Sequence, residues 1–308
     1  MTREQKLAWA AWVTICVVWG TTYLAIRVAL ETIPVFLVAG LRWLAAGLIL
    51  GAVSVATGRR LPGPRMWGSL ALLGFLMNVV GNGFVVWAEQ FVVSGLTAVV
   101  IASVPFWSVA VESSLRGGER LPRPAFAGLA IGFAGIVVLV WPEITMGGRA
   151  GRAVVGGVVA LQLACLGWAL GTSYTKRHPS SADPLASSTV QMLFSGAMLL
   201  GLATANGEWS RVHFTPRTTA AMIYLTVAGS TVAYTAYVYA VKHLPISTVS
   251  LYAYINPLIA VALGSLLLGE PFSFRIIIAA GLVLAGIAVV RGVQSSRVTP
   301  AAPRRSGH

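Results

Sequence analysis

Charge is what this sequence has least of. Only 10% of its 308 residues are Asp, Glu, Lys or Arg, against about 25% in an ordinary soluble domain. With 56% hydrophobic residues there is too little polar surface to cover a water-soluble globule. Acidic groups are scarcest: Asp183 is the single aspartate, and the eight glutamates fall mostly between apolar runs. Paired carboxylates for acid–base chemistry inside a membrane are therefore missing. The four histidines (His178, His213, His243 and His308) sit between runs or in the tail, and neither H-E-x-x-H nor a cysteine cluster with metal spacing occurs. No G-x-x-x-x-G-K-[ST] loop is present to cradle ATP phosphates. These absences exclude the usual enzyme classes, give no catalytic residue, and call for no cofactor and no metal. The two cysteines, Cys16 and Cys165, read as small apolar packing groups.

What is present is apolar length. A spanning helix needs about 20 residues of low polarity, and turn signals cut the chain into ten such stretches. They are Leu7 to Ala29, Pro34 to Thr57, Met66 to Ala88, Gly95 to Leu115, Pro124 to Trp141, Ala153 to Thr175, Pro184 to Ala205, Pro216 to Val241, Ile246 to Leu268 and Phe274 to Val290. The first carries three Trp and no small-residue cleavage site, so it is expected to be a retained anchor rather than a signal peptide. The expectation is an all-α integral membrane protein of ten spans. Residues 293–308, rich in Pro, Arg and Ser, are expected to be a disordered tail.

The net charge of +13 would suggest a nucleic-acid partner in a soluble protein. Placing the bases removes that need. With the N-terminus inside, fifteen Lys and Arg flank the spans on the cytoplasmic side and five on the other, while Arg27 and Arg42 fall within spans. The positive-inside rule then puts both termini in the cytoplasm.

The chain also repeats itself. Trp87 to Pro105 pairs without a gap with Tyr239 to Pro257 at an offset of 152. Gly118-Glu119 matches Gly269-Glu270 and Ala134-Gly135-Ile136 matches Ala285-Gly286-Ile287 at 151, while Cys16-Val17-Val18-Trp19 matches Cys165-Leu166-Gly167-Trp168 at 149. Two halves of five spans follow, residues 1–143 and 144–292. An odd number of spans per half makes the second enter the membrane upside down, and the reversed charge of matching loops agrees. Inverted repeats of this kind surround a midplane site in many secondary transporters.

Charge and polarity within the spans mark the candidate site. A charged side chain at the bilayer centre costs about 2.5–3.5 kcal/mol on insertion scales. Arg42 lies roughly 12 Å below the outer surface at about 1.5 Å per residue, and Arg27 and Glu89 close the same ends of their helices. An outer-half cluster of Arg27, Arg42 and Glu89 serves either in a structural role, as an ion pair or by snorkelling to headgroups, or as a site in which Arg42 attracts an anionic group and Glu89 carries a proton or meets an amine. Glu112 is expected to pair with Arg116 four residues on. Asn78 and Asn82 share a helical face, Gly81-Asn82-Gly83 weakens its helix, and Pro105 and Pro257 free backbone carbonyls where helices kink, the latter beside Asn256. Trp19, Asn82, Trp168, Tyr252 and Asn256 are candidates for a mid-depth cavity, with Tyr23, Arg42 and Glu89 toward its outer end.

Together these residues form a recognisable set. Trp19-Gly20-Thr21-Thr22-Tyr23 with Arg27, Ala39-Gly40-Leu41-Arg42-Trp43-Leu44-Ala45-Ala46-Gly47, Gly81-Asn82-Gly83 with Ala88-Glu89, and Tyr252-Ala253-Tyr254-Ile255-Asn256-Pro257 resemble the EamA family of the drug/metabolite transporter superfamily. The resemblance implies ten helices in two inverted five-helix repeats in the inner membrane. It also implies a central cavity lined mainly by the first four helices of each half, and export of small metabolites, amino acids or drug-like compounds. The expected partners are a small-molecule substrate and the lipid bilayer, with no nucleic acid; coupling to protons and facilitated diffusion both stay open, and a monomer and a homodimer both fit. The competing reading is a channel or a non-transporting membrane scaffold.

Overall fold

The computed structural model describes residues 2–115, 123–244, 246–249, 251–270 and 273–298. Among them no strand forms. The helices are α1 (Arg3–Ala29), α2 (Val35–Ala56), α3 (Pro64–Ala88), α4 (Ser94–Ser114), α5 (Arg123–Met146), α6 (Gly148–Arg177), α7 (Pro184–Ala205), α8 (Pro216–His243), α9 in two pieces (Ile246–Val249 and Tyr252–Leu268) and α10 (Phe274–Val298). Seven of these, α1 to α4 and α6 to α8, are long and apolar enough to cross a membrane. Shorter apolar helices, Phe126–Pro142, Tyr252–Leu268 and Phe274–Val289, occupy the other three expected positions. Large apolar side chains point outward, Leu266 and Phe274 being 78% and 74% exposed, as suits a lipid-facing surface.

Several boundaries move for local reasons. α1 starts before Leu7 because Thr2 and Gln5 form a reciprocal capping box, Gln5 N to Thr2 Oγ1 at 3.2 Å and Thr2 N to Gln5 Oε1 at 3.0 Å. α5 runs past the expected Pro124–Trp141 stretch to Met146, and the chain turns at Gly147, whose φ of 60° favours glycine. α10 continues to Val298, past the start of the expected tail, and residues 299–308 lie outside the described residues. So do Gly118-Glu119 and Arg116. α4 breaks at Ala102–Ser103, just before Pro105. The break in α9 precedes Pro257 by more than a turn, leaving that proline inside the second piece.

Helices pack in matched pairs. α2 lies along α7 and α5 along α10, while α1 packs on α8 and α9 and α6 packs on α3 and α4. At the first seam a methyl on Gly47 would come within 3.0 Å of Leu193, and one on Gly196 within 2.5 Å of the Leu44 nitrogen. At the second, a methyl on Gly135 would sit 2.9 Å from the Ala279 carbonyl oxygen, and one on Gly286 2.5 Å from that of Gly128. Small residues at such points let backbones approach, the usual basis of helix association in lipid.

The α2–α7 pair is also fastened at both ends. Arg59, beyond α2, pairs with Asp183 at 2.6 Å, and Asp183 caps α7 by accepting from Leu185 N and Ala186 N at 3.0 and 3.1 Å. Burial is the largest single influence on the Asp183 carboxyl and pushes it up, but the Ala186 and Leu185 hydrogen bonds and the Arg59 guanidinium together outweigh it and hold the group below its ordinary value. At the opposite end Glu208, 4% exposed, accepts from Leu37 N at 2.9 Å near the start of α2.

Candidate functional site

Two stretches of π-helix break the regular ladder, Gly74–Asn82 in α3 and Leu225–Val232 in α8. Their starts are 151 residues apart, the repeat offset of the glycine motifs. Extended π segments are rare and concentrate at functional positions, because the wider turn displaces side chains and leaves backbone carbonyls open to other donors. Both stretches supply the contacts of the candidate site.

Arg42 is 3% exposed. Its Nε donates to Ser230 Oγ of the α8 π segment at 2.6 Å, and its guanidinium carbon lies 5.0 Å from the Trp43 ring centre. Trp43 Nε1 in turn donates to Asn82 Oδ1 at 3.3 Å, and Asn78 Nδ2 donates to Ser195 Oγ at 3.0 Å. Thus Arg42 and Asn82 are joined through Trp43, and each asparagine ties the α3 π segment to a neighbouring helix.

Glu89 is fully buried, and among the described residues no direct salt bridge joins its carboxylate to Arg27 or Arg42. Arg27 Nη1 donates to the Glu89 backbone carbonyl rather than to its carboxylate. Glu89 ends α3 with its carbonyl open, and an arginine reaching that end satisfies the free acceptor and the helix dipole together. Among the described residues neither carboxylate oxygen of Glu89 nor Nη1 of Arg42 has a hydrogen-bond partner. Tyr23 packs beside this region against the main core.

Deeper in, Trp19 Nε1 donates to the Gly229 carbonyl of the α8 π segment at 3.1 Å. Its ring meets Tyr252 edge-on at 5.1 Å and Tyr237 at 5.4 Å. With its nitrogen turned toward α1, the Asn256 carboxamide donates to the carbonyls of Tyr252 and Cys16, each at 3.0 Å, which joins α9 to α1 next to Pro257. Trp168 stands apart from this group. It lies across from Gly81, where a methyl would come 3.6 Å from its ring, so Trp19 faces the π segment of α8 and Trp168 that of α3.

Other contacts run between helices. Glu112 reaches α6, accepting from Ser173 Oγ at 2.6 Å and pairing with Lys176 and Arg177 at 3.6 and 3.4 Å, while its expected partner Arg116 lies outside the described residues. Cys165 lies 3.6 Å from Ser103 Oγ at the break in α4. Ser230 and the Trp107–Gln162 hydrogen bond at 2.8 Å were not singled out by the sequence, since a lone Ser or Gln on an apolar helix carries no spacing signal. A cleft of about 600 Å³ opens between α1, α8 and α9, lined by Thr21, Leu24, Val28, Arg217, Tyr224 and Leu267 among others. None of the predicted cavity residues lines it; Thr21 and Tyr224, joined by a hydroxyl hydrogen bond, stand at its wall.

Comparison with known proteins gives a consistent picture. The EamA-like transporter family matches this chain twice, over residues 7–141 and 155–292. The uncharacterized inner membrane transporter YedA of Escherichia coli K12 is 34% identical over 275 residues, covering 89% of this chain and 87% of its own. A WAT1-related chloroplastic protein of Arabidopsis thaliana is 29% identical, covering 92% and 69%, and the uncharacterized transporter YvbV of Bacillus subtilis is 26% identical, covering 89% and 88%. A solved crystal structure superposes with a TM-score of 0.63 at 21% identity over 95% of this chain and 99% of that one, a likeness of fold.

Proposed function

The chain belongs to the EamA-like transporter family, and from that premise we propose that it exports small metabolites, amino acids or drug-like compounds across the cytoplasmic membrane by alternating access. In this reading residues 1–143 and 144–292 are inverted five-helix repeats, the three shorter apolar helices complete ten spans, and both termini are cytoplasmic. Support comes from the double family match and from the reciprocal seams: Gly47 meets Leu193 as Gly196 meets Leu44, a relation that a two-fold axis in the membrane plane generates.

One observation carries the functional reading: a guanidinium buried between the halves with an unpaired N–H, beside a buried unpaired carboxyl. Such groups are costly to leave unmatched in an apolar bundle and persist where a ligand or a proton completes them. Arg42 anchors an anionic group of the substrate, Glu89 carries the coupling proton, and Trp19, Tyr252 and Asn256 line the cavity toward the other face. The α2–α7 and α5–α10 seams hold each half against the other while α1, α3 and α4 and their counterparts α6, α8 and α9 rearrange.

The test is reconstitution in liposomes with a broad panel of metabolites, amino acids and dyes, with and without a pH gradient. Movement above empty vesicles supports the proposal. No movement under any condition, or single-channel currents in its place, overturns it.

A further inference from the structure

The repeated Gly-Glu motif has a structural task in its second copy. After α9, Gly269 adopts a left-handed φ of 63°, and Glu270 N closes the helix end on the Gly264 carbonyl at 3.1 Å. This turn throws the Glu270 side chain across to the other half, onto the first turn of α4. Its carboxylate accepts from Ser94 N at 2.9 Å, Ser94 Oγ at 2.9 Å and Gly95 N at 3.2 Å. Open N–H groups at a helix start, with the positive end of the dipole, are a natural seat for a carboxylate, and Ser94 is fully buried. Gly264 leaves the room: a methyl there would lie 2.8 Å from Ser94 Oγ and 3.0 Å from Glu270 Cδ.

We propose that Glu270 is a positioning residue, a latch that holds α4 to α9 at this face and must let go when the transporter opens there. The proposal rests on the alternating-access reading. Three charge-assisted hydrogen bonds between two discontinuous helices of opposite halves close that face in the present conformation. Opening it requires α4 and α9 to part, and the broken segments of both helices give them the freedom to do so.

Labelling in membrane vesicles tests this without any substrate. In the full chain carrying Cys16→Ala and Cys165→Ala, Tyr252→Cys reports cavity access to an impermeant maleimide applied from either face. Glu270→Gln and Gly264→Ala should each raise labelling from the Glu270 face about tenfold, the population shift expected from losing about one charged hydrogen bond, while Glu270→Asp should stay near the parent. Equal labelling in the parent and both variants, or a rise from both faces alike, overturns the latch. A second arm bridges Ser94→Cys and Glu270→Cys with a reducible bifunctional thiol reagent. Transport that stops on bridging and returns on reduction supports the latch, and transport that continues with the bridge in place overturns it. Because labelling needs no transport, a protein that moves nothing yet responds to Glu270→Gln keeps the latch and loses only the exporter reading.

Discussion

Arg42 of α2 and Ser230 of α8 meet at 2.6 Å, and the contact leaves Nη1 of the guanidinium unpaired. If that nitrogen holds the substrate's anionic group, Arg42→Gln should raise the half-saturating concentration at least about tenfold, the equivalent of ~1.4 kcal/mol, with membrane insertion intact. Ser230→Ala removes only the brace and should cost less. Uptake assays at graded substrate concentration check both, and an Arg42→Gln protein with unchanged kinetics would remove Arg42 from the site.

Glu89 is buried without a hydrogen-bond partner for its carboxylate among the described residues. Glu89→Gln keeps size and polarity but cannot exchange a proton, so transport should persist while its dependence on a pH gradient disappears. Flux measured with and without an imposed gradient decides this. A gradient response retained in the variant assigns the proton elsewhere.

Asp183 caps α7 and pairs with Arg59. A carboxyl held below its unfolded value contributes stability above the unfolded pKa, about 4, and loses it as pH falls through the folded value. Thermal unfolding in detergent should therefore shift down on acidification below about pH 4 by more in the parent than in Asp183→Asn. The effect is small, because both partners are about a third exposed and water screens such pairs. Asp183→Ala should cost about 1 kcal/mol through the lost cap.

The π segments offer a backbone test. Deleting one residue within 74–82 or within 225–232 lets the ladder close as ordinary α-helix and rotates everything beyond it by about 100°. The chain should still insert, yet transport should fall to background. A deletion mutant that transports normally would show that the wide turns have no part in the site.

Much of this was legible in the sequence because membrane insertion leaves few choices. Apolar length set the positions of the helices, and Arg42 and Glu89 stood out because charge inside a span is expensive. The arrangement of the site was less accessible. Arg27 and Glu89 suggested an ion pair, but the arginine prefers the open carbonyl at the end of α3, a group every residue carries and no sequence advertises. Glu112 meets Ser173, Lys176 and Arg177 across the α4–α6 contact, partners about sixty residues away that no spacing along its own helix announces. The Gly81-Asn82-Gly83 triplet marked the end of the α3 π segment as a weak turn, but the α8 segment left no such mark. One extra residue in a turn alters geometry without altering hydrophobicity, and there its sign was only the shared offset of the two spans that contain it.

At the α2–α7 seam Gly47 stands to Leu193 as Gly196 stands to Leu44, and α5 and α10 are related in the same way. A helix that packs on its own counterpart makes a contact that two identical chains could make with each other about a two-fold axis. If the halves are the inverted repeats proposed above, both seams would exist between two separate five-helix polypeptides inserted in opposite senses, with no linker between them. What joining them in one polypeptide adds is the freedom to differ. Arg59 beyond α2 is a base and Glu208, 149 positions on, is an acid, and each fastens the other helix of the pair with opposite chemistry. Two identical chains would have to place one residue at both ends of the seam. The fused chain can shape each end, and the groups buried between them, for the side of the membrane it meets.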